Sequence, residues 1–357
     1  MTGSPSVLAD TAEDGLGRTP YAARSDRYDR TAYRRVGGSG LVLPPICLGL
    51  WHNFGLDTDF ERKRALILGA FDRGITHFDL ANNYGPPPGS AELSLGTLLR
   101  SSLRRYRSEL VISTKAGWPN SPGPYGSGGS RKHLVESLDE SLARMGLEHV
   151  DIFYSHRFDP DTPLEETIGA LADIVRQGKA LYAGISSYSP RRTREAQEIA
   201  ARHGVPLVIH QFAYSMLNRW AEDALLPELQ RLGMGSIAFT PLAQGMLTDK
   251  YLSSSGRTTS REESLPDEFL TEENLARVRS LREIAMRRGQ SLAQMALAWA
   301  LRPGAASSVI IGASRPEQLD ENLAALDAAP FGEDELREID HYAVDADINT
   351  WRASSEL

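Results

Sequence analysis

From about residue 33 onward, short apolar runs carrying β-branched or aromatic residues alternate with longer stretches whose apolar positions recur at helical spacing. This alternation predicts repeated βα units, because a hydrophobic period near two marks a strand and one near 3.6 a helix. Eight strands are predicted: Pro45 to Leu50, Thr76 to Leu80, Leu110 to Lys115, Val150 to Ser155, Ala180 to Ser186, Leu207 to Gln211, Ser236 to Thr240 and Ser308 to Ile311. Several are nearly continuous apolar runs, as expected for strands covered on both faces.

The intervening helices have legible ends. Asp59 to Arg73 gathers Ala65, Ile67, Leu68 and Phe71 and stops at Gly74, and Leu134, Leu138, Leu142 and Met145 precede Gly146. Leu164 to Gly178, Pro190 to Gly204 and Ala221 to Gly233 also close on glycine, the residue that most easily takes the left-handed conformation ending a helix. Eight such units without a break in composition predict a closed (β/α)₈ TIM barrel, with an open doubly wound sheet as the alternative. Tyr33 to Val36 and Leu41 to Leu43, flanking Gly37 to Gly40, read as an N-terminal β-hairpin that closes the barrel bottom. The long segment before the last strand is polar from Ser253 to Asp267 and helical from Thr271 to Leu301, which predicts a loop and two extra helices.

Composition narrows the setting. Residues 1–30, rich in Ser, Thr, Asp and Arg, show neither period and predict a flexible extension, leaving residues 31–357 as a single barrel domain. A net charge of -8 argues against a nucleic-acid partner, since phosphate binding needs clustered cations. One cysteine, Cys47, excludes an internal disulfide, and neither a secretory apolar segment nor a membrane-length apolar run is visible. A reducing, cytoplasmic compartment is expected.

In a (β/α)₈ barrel the C-terminal strand ends meet at one mouth, so residues after successive strands become neighbours. Here the second strand runs into Asp79 and Tyr84, the third ends at Lys115, and the fourth runs into His156 and Arg157. These types fit one chemistry. A tyrosine with an ordinary pKa of about 10 is a poor acid at neutral pH, but a neighbouring ammonium favours its phenolate and eases proton donation. Lys115 supplies that charge, Asp79 keeps Lys115 protonated, and His156 donates a hydrogen bond to a carbonyl oxygen. Each residue alone is more simply an ion pair or a packing group; the four types at three consecutive strand ends are not a packing requirement.

With those residues in view, the chain resembles the aldo-keto reductase superfamily, whose Asp, Tyr five positions on, strand-end Lys and strand-end His match Asp79, Tyr84, Lys115 and His156. The likeness runs from about Tyr33 to Trp351 through GITHFD (74–79), LYAGIS (181–186) and TPLAQG (240–245). Within the superfamily it is most similar to the bacterial L-glyceraldehyde 3-phosphate reductases, on WHNFG (51–55), NNYGPPPGS (82–90), PGPYGSGGS (122–130) and YSHR (154–157), with potassium-channel β subunits as other near relatives. The resemblance implies NADPH lying extended across the barrel mouth. It implies that Trp51 borders cofactor and substrate, that Asp79 also lines the cofactor, that Ser186 and Gln211 bond the carboxamide, and that Tyr214 stacks on the nicotinamide. Thr240, Pro241, Leu242, Gln244 and Gly245 then follow the pyrophosphate. Lys250, Gly312, Ser314, Arg315, Gln318, Glu321 and Asn322 serve the adenosine end. Arg315, between a strand and a helix, suits a phosphate and favours NADPH over NADH. The chain departs from many relatives in having Ser187 where they carry Asn.

The reading that follows is reduction of a small aldehyde, such as L-glyceraldehyde 3-phosphate or methylglyoxal, with Trp51, Tyr84, His156 and Arg157 at the substrate and a homo-oligomer, tetramer or octamer, as the assembly. A redox-sensing regulatory subunit that binds NADPH, as in the channel β subunits, is the alternative. A metal-dependent barrel hydrolase needs more strand-end ligands than Asp79 and His156 offer, so no metal is expected.

Overall fold

The computed structural model describes residues 20–252, 269–346 and 348–356. A two-stranded antiparallel hairpin, β1 (Arg34–Arg35) and β2 (Val42–Leu43), precedes the barrel strands β3 (Ile46–Gly49), β4 (His77–Asp79), β5 (Val111–Ala116), β6 (Val150–Ser155), β7 (Ala180–Ser186), β8 (Ile209–Ala213), β9 (Gly235–Phe239) and β10 (Ser308–Ile311). These eight pair in parallel in chain order, and β10 closes on β3 with Ile311 opposite Leu48. All eight predicted strands are present, and the predicted closed (β/α)₈ barrel is the fold.

The outer layer comprises α1 (Phe60–Phe71), α2 (Ser90–Leu98), α3 (Arg131–Met145), α4 (Leu164–Arg176), α5 (Pro190–Arg202), α6 (Leu225–Leu232), α7 (Glu272–Arg287), α8 (Leu292–Ala300) and α9 (Glu317–Leu323), followed by α10 (Glu333–Tyr342) and α11 (Arg352–Ser355). Local chemistry sets their ends. Ser130 accepts from the His133 amide to start α3, and Gly146 ends it at φ 67°. Ser291 and Gln294 form a reciprocal capping box at the start of α8. Helix α6 begins at Leu225 rather than Ala221, because Pro227 lacks an amide and is tolerated only in a first turn. Helices α7 and α8 are the two predicted extra helices; the polar loop expected over 253–267 lies outside the described residues.

Two apolar layers hold the barrel. The larger lies between strands and helices and includes Leu66, Phe78, Ile112, Phe153, Phe212 and Val309. The smaller fills the barrel itself with Cys47, Ile152, Tyr154, Ile209, Ile237 and Ile310, and is closed from below by Val36, Leu41 and Leu43 of the hairpin. Gly37 makes that plug possible: its φ is 53°, and a Cβ there would fall 2.2 Å from the Gly233 carbonyl oxygen. Because side chains alternate along a strand, this inner cluster also assigns parity, and the positions two and four beyond its members face the mouth.

The N-terminal expectation needs a correction. Residues 1–19 lie outside the described residues, but 20–30 are docked on the barrel. The Tyr21 hydroxyl donates to Asp72 at 2.7 Å, the Ala23 amide donates to the Tyr106 hydroxyl at 2.9 Å, and Arg27 pairs with Glu109 with its guanidinium over the Phe71 ring. Anchorage by isolated aromatic and guanidinium groups produces no hydrophobic period, so the segment reads as solvated.

Candidate active site

Asp79, Lys115 and Ser113 lie on β4 and β5 at inward parity, and His156 follows β6 at the same parity as Ile152 and Tyr154. The structure therefore brings the four expected residues together. The Lys115 ammonium, fully buried, donates to Asp79 Oδ2 at 2.6 Å, to the Leu80 carbonyl at 2.6 Å and to the Tyr84 hydroxyl at 3.4 Å. The other Asp79 oxygen, Oδ1, accepts from the Ser113 hydroxyl at 2.6 Å and from Gln211 Nε2 at 3.1 Å. Above them the Tyr84 ring meets the His156 ring edge-on, with centroids 5.9 Å apart, and stacks on Trp51 at 5.7 Å.

Electrostatics in this buried cluster oppose one another. Burial alone would pull the Lys115 ammonium down, but the Asp79 carboxylate and the Tyr84 hydroxyl outweigh it and hold the amine protonated above its ordinary range. Burial pushes the Tyr84 hydroxyl above an ordinary phenol, with Lys115 as the counterweight that favours phenolate and Asp79 adding to the rise. His156 is driven well below the usual imidazole range by burial, then by Lys115 and Arg157, and stays neutral with one N–H to donate. Arg157 bonds the Gly117 carbonyl through Nε at 3.2 Å and lies over the Trp118 ring at 4.5 Å.

The opposite arc of the mouth carries the other expected residues. Ser186 and Gln211 are buried at the ends of β7 and in β8. Among the described residues the non-glycine positions with positive φ are Ser187, Thr240, Ala243 and Gln244, all after β7 or β9. Such strain costs about 1–3 kcal/mol per residue and clusters where a site must hold an awkward backbone. Pro241, Leu242 and Gly245 belong to the same turn, and Lys250 returns to it with its side chain beside Gly245 and its ammonium on the Tyr251 hydroxyl at 3.1 Å. Gly312 follows β10; the Ser314 amide and hydroxyl both donate to Gln318 Oε1, Arg315 pairs with Glu321 at 3.1 Å, and Asn322 is buried in α9. Among the described residues no three His, Cys, Asp or Glu side chains gather as a metal site, and no helix is long and apolar enough to cross a membrane.

Residues 45–343 match the model of the aldo/keto reductase family. The chain belongs to the aldo/keto reductase family. It is 56% identical over 343 residues to the L-glyceraldehyde 3-phosphate reductase of Escherichia coli strain K12, covering 94% of this chain and 99% of that protein. It is also 37% identical over 306 residues to a probable voltage-gated potassium channel subunit beta of Oryza sativa subsp. japonica, covering 84% of this chain and 92% of that one.

In this aldo/keto reductase one expected contact is corrected. Tyr214 was expected to stack on a nicotinamide, but its ring is fully buried, stacked on Trp299 at 5.2 Å, with its hydroxyl bonded to Glu222 and Arg302. Parity explains this: Tyr214 follows Phe212 on the face toward the helices, whereas Gln211 and Ala213 face inward. The aromatic ring that does face the mouth is Phe239, two residues beyond the inner-core Ile237 and met edge-on by Trp351 at 4.7 Å. Counting in twos from Ile237 would have found it. Arg62, whose Nε donates to the Ser314 carbonyl at 2.8 Å, adds a second guanidinium beside Arg315; it comes from α1, remote in sequence, and no spacing signals it.

Proposed function

We propose that this aldo/keto reductase reduces a short aldehyde bearing a phosphate to the alcohol, with NADPH as reductant. The observation that carries the reading is the fully buried Lys115 ammonium, paired with Asp79 and in reach of the Tyr84 hydroxyl. The donor set of the strained arc suits a phosphate-bearing dinucleotide: Ser186 and Gln211 offer amide partners, Phe239 an apolar wall, and Lys250, Arg62 and Arg315 charge for phosphates. When bound there, NADPH supplies the hydride. Tyr84 gives its proton to the carbonyl oxygen, and the phenolate left behind is stabilised by Lys115, which Asp79 keeps charged and fixed. Neutral His156 donates to the same oxygen and fixes its angle. Arg157, next to His156 and braced on Trp118, recognises the substrate phosphate. Trp51, Tyr84 and Trp118 wall a mouth that favours short aldehydes, and the 56% identity to the Escherichia coli enzyme supports L-glyceraldehyde 3-phosphate. The active form is a homo-oligomer, tetramer or octamer; elution at the monomer volume would refute that part alone.

The test is loss of reduced-nicotinamide absorbance with L-glyceraldehyde 3-phosphate, methylglyoxal and unphosphorylated glyceraldehyde, with Arg157→Ala in parallel. Preference for the phosphorylated aldehyde that disappears in Arg157→Ala supports the reading. Equal use of all three overturns the phosphate assignment, and tight NADPH binding without turnover favours a regulatory subunit like the channel β subunits.

A further inference from the structure

Below the mouth, a line of polar groups descends into the barrel interior. Asp79 Oδ1 receives the Ser113 hydroxyl at 2.6 Å; Ser113 Oγ lies 2.9 Å from His77 Nε2; and His77 Nδ1 lies 3.0 Å from Cys47 Sγ. All four side chains are buried, and all stand at inward parity on β3, β4 and β5. A packed barrel interior has no need of them, since Ile152, Ile209, Ile237 and Ile310 fill the same space with apolar atoms.

The donor inventory gives this chain one direction. A carboxylate only accepts, so the single Ser113 proton points to Asp79. Ser113 must then accept from His77, which places the imidazole proton on Nε2. That leaves a lone pair on Nδ1 for the Cys47 thiol to donate to, although Cys47 Sγ also lies 3.0 Å from the Ser308 hydroxyl, which itself donates to the Pro44 carbonyl. Burial keeps His77 and Cys47 in the required neutral forms: it lowers His77 to about 4, and it pushes the Cys47 thiol far above its ordinary range. From His77 to Asp79 the line has one polarity, and each bond polarises the next toward Asp79.

We propose that Ser113 and His77, backed by Cys47, are positioning residues of the reduction: their hydrogen-bond chain orients the Asp79 carboxylate toward Lys115, and so sets how strongly Lys115 acts on the Tyr84 hydroxyl. The inference rests on Tyr84 as the proton donor. The groups facing Asp79 are Lys115 and Ser113 from β5, His77 from its own strand, Gln211 from β8, Cys47 from β3, Tyr154 from β6 and Tyr84 from the loop after β4. Lys115 is the only cation among them, so the carboxylate's hydrogen bonds decide how much negative charge competes with it. Removing the Ser113 hydroxyl takes a donor away from the Asp79 carboxylate. The carboxylate then draws more of the Lys115 proton and presents more uncompensated charge, and both effects raise the pKa of Tyr84.

The experiment is the pH profile of kcat for the full chain with NADPH and a short aldehyde, in wild type, Ser113→Ala, Ser113→Thr and His77→Phe, with NADPH affinity as the measure of intact folding. Tyr84 must be protonated to act, so activity is lost as pH rises through its pKa. Ser113→Ala is expected to lower plateau kcat about tenfold, the size of one hydrogen bond to a charged group, and to move the alkaline limb up by about half to one unit. Ser113→Thr, which keeps the hydroxyl, restores both, and His77→Phe moves both in the same direction by less. A wild-type profile in Ser113→Ala, or Ser113→Thr behaving like Ser113→Ala, overturns the proposal. If Ser113→Ala does not fold, His77→Phe decides by the same profile. A control separates the two levels: turnover surviving in Tyr84→Phe refutes the proton-donor reading itself.

Discussion

The Lys115 ammonium sits 3.4 Å from the Tyr84 hydroxyl and, at 4.8 Å, over the Tyr84 ring, so one cation addresses both the acid and its aromatic support. With Asp79 at 2.6 Å behind it, the ammonium has no rotational freedom left to lose as charge develops on the phenol oxygen.

Tyr84→Phe deletes the proton donor and keeps the ring stacked on Trp51. Turnover should fall by about 10² or more while NADPH affinity persists, and Lys115→Met should behave alike. Because burial raises the Tyr84 hydroxyl above an ordinary phenol, its acid form persists through neutral pH, and the rate of reduction should decline only at pH values above the ordinary phenol range. Steady-state kinetics across pH, with cofactor binding by fluorescence, check both statements.

Arg315→Ala should weaken NADPH more than NADH by about 1–3 kcal/mol, the loss of a charged hydrogen bond. Arg62→Ala, from the neighbouring α1, should shift the preference the same way. Equal weakening of both nucleotides in titrations would remove the case for NADPH.

Phe239 and Tyr214 should separate cleanly. Phe239→Ala is expected to weaken NADPH binding, whereas Tyr214→Phe should leave it unchanged and lower stability by about 1–2 kcal/mol, since Glu222 and Arg302 lose a buried partner. Cofactor titration beside chemical denaturation reads both. Because Tyr214→Phe keeps the ring, the result that would restore the original expectation is unchanged NADPH affinity in Phe239→Ala.

Acid should destabilise the barrel through His210, which is fully buried, accepts the Tyr188 amide on Nε2 at 3.2 Å and has its pKa lowered to about 3 by burial. The unfolded imidazole takes up a proton as pH falls through about 6.5, while the folded one stays neutral. Stability is therefore full at pH 7 and declines on acidification, by about 2 kcal/mol at pH 5 from this group. Urea midpoints at the two pH values measure it, and His210→Gln should flatten the slope; an unchanged slope would show that His210 protonates without cost.

Much of this was legible in the chain. The eight strands and the glycine-ended helices follow from local rules: a two-residue alternation, a 3.6-residue period and the conformational freedom of glycine are each read within a few positions. Asp79, Tyr84, Lys115 and His156 were legible for a related reason, because a barrel converts strand ends into neighbours and their place along each strand is already in the sequence. The docking of residues 20–30 was not legible, since Tyr21 and Arg27 find Asp72 and Glu109 through single pairings that leave no periodic trace.

What the sequence determined by itself, then, was the order of elements and the chemical types assembled at the mouth, both set by short-range patterning. Only the tertiary structure decided which way each side chain faces and which remote groups meet. It turned Tyr214 outward onto Trp299 and left Phe239 at the mouth, brought Arg62 beside Arg315, and aligned Cys47, His77 and Ser113 beneath Asp79. The physical reason is that strand parity and barrel closure are properties of the whole sheet: the inward phase of each strand is fixed by what its neighbours bury.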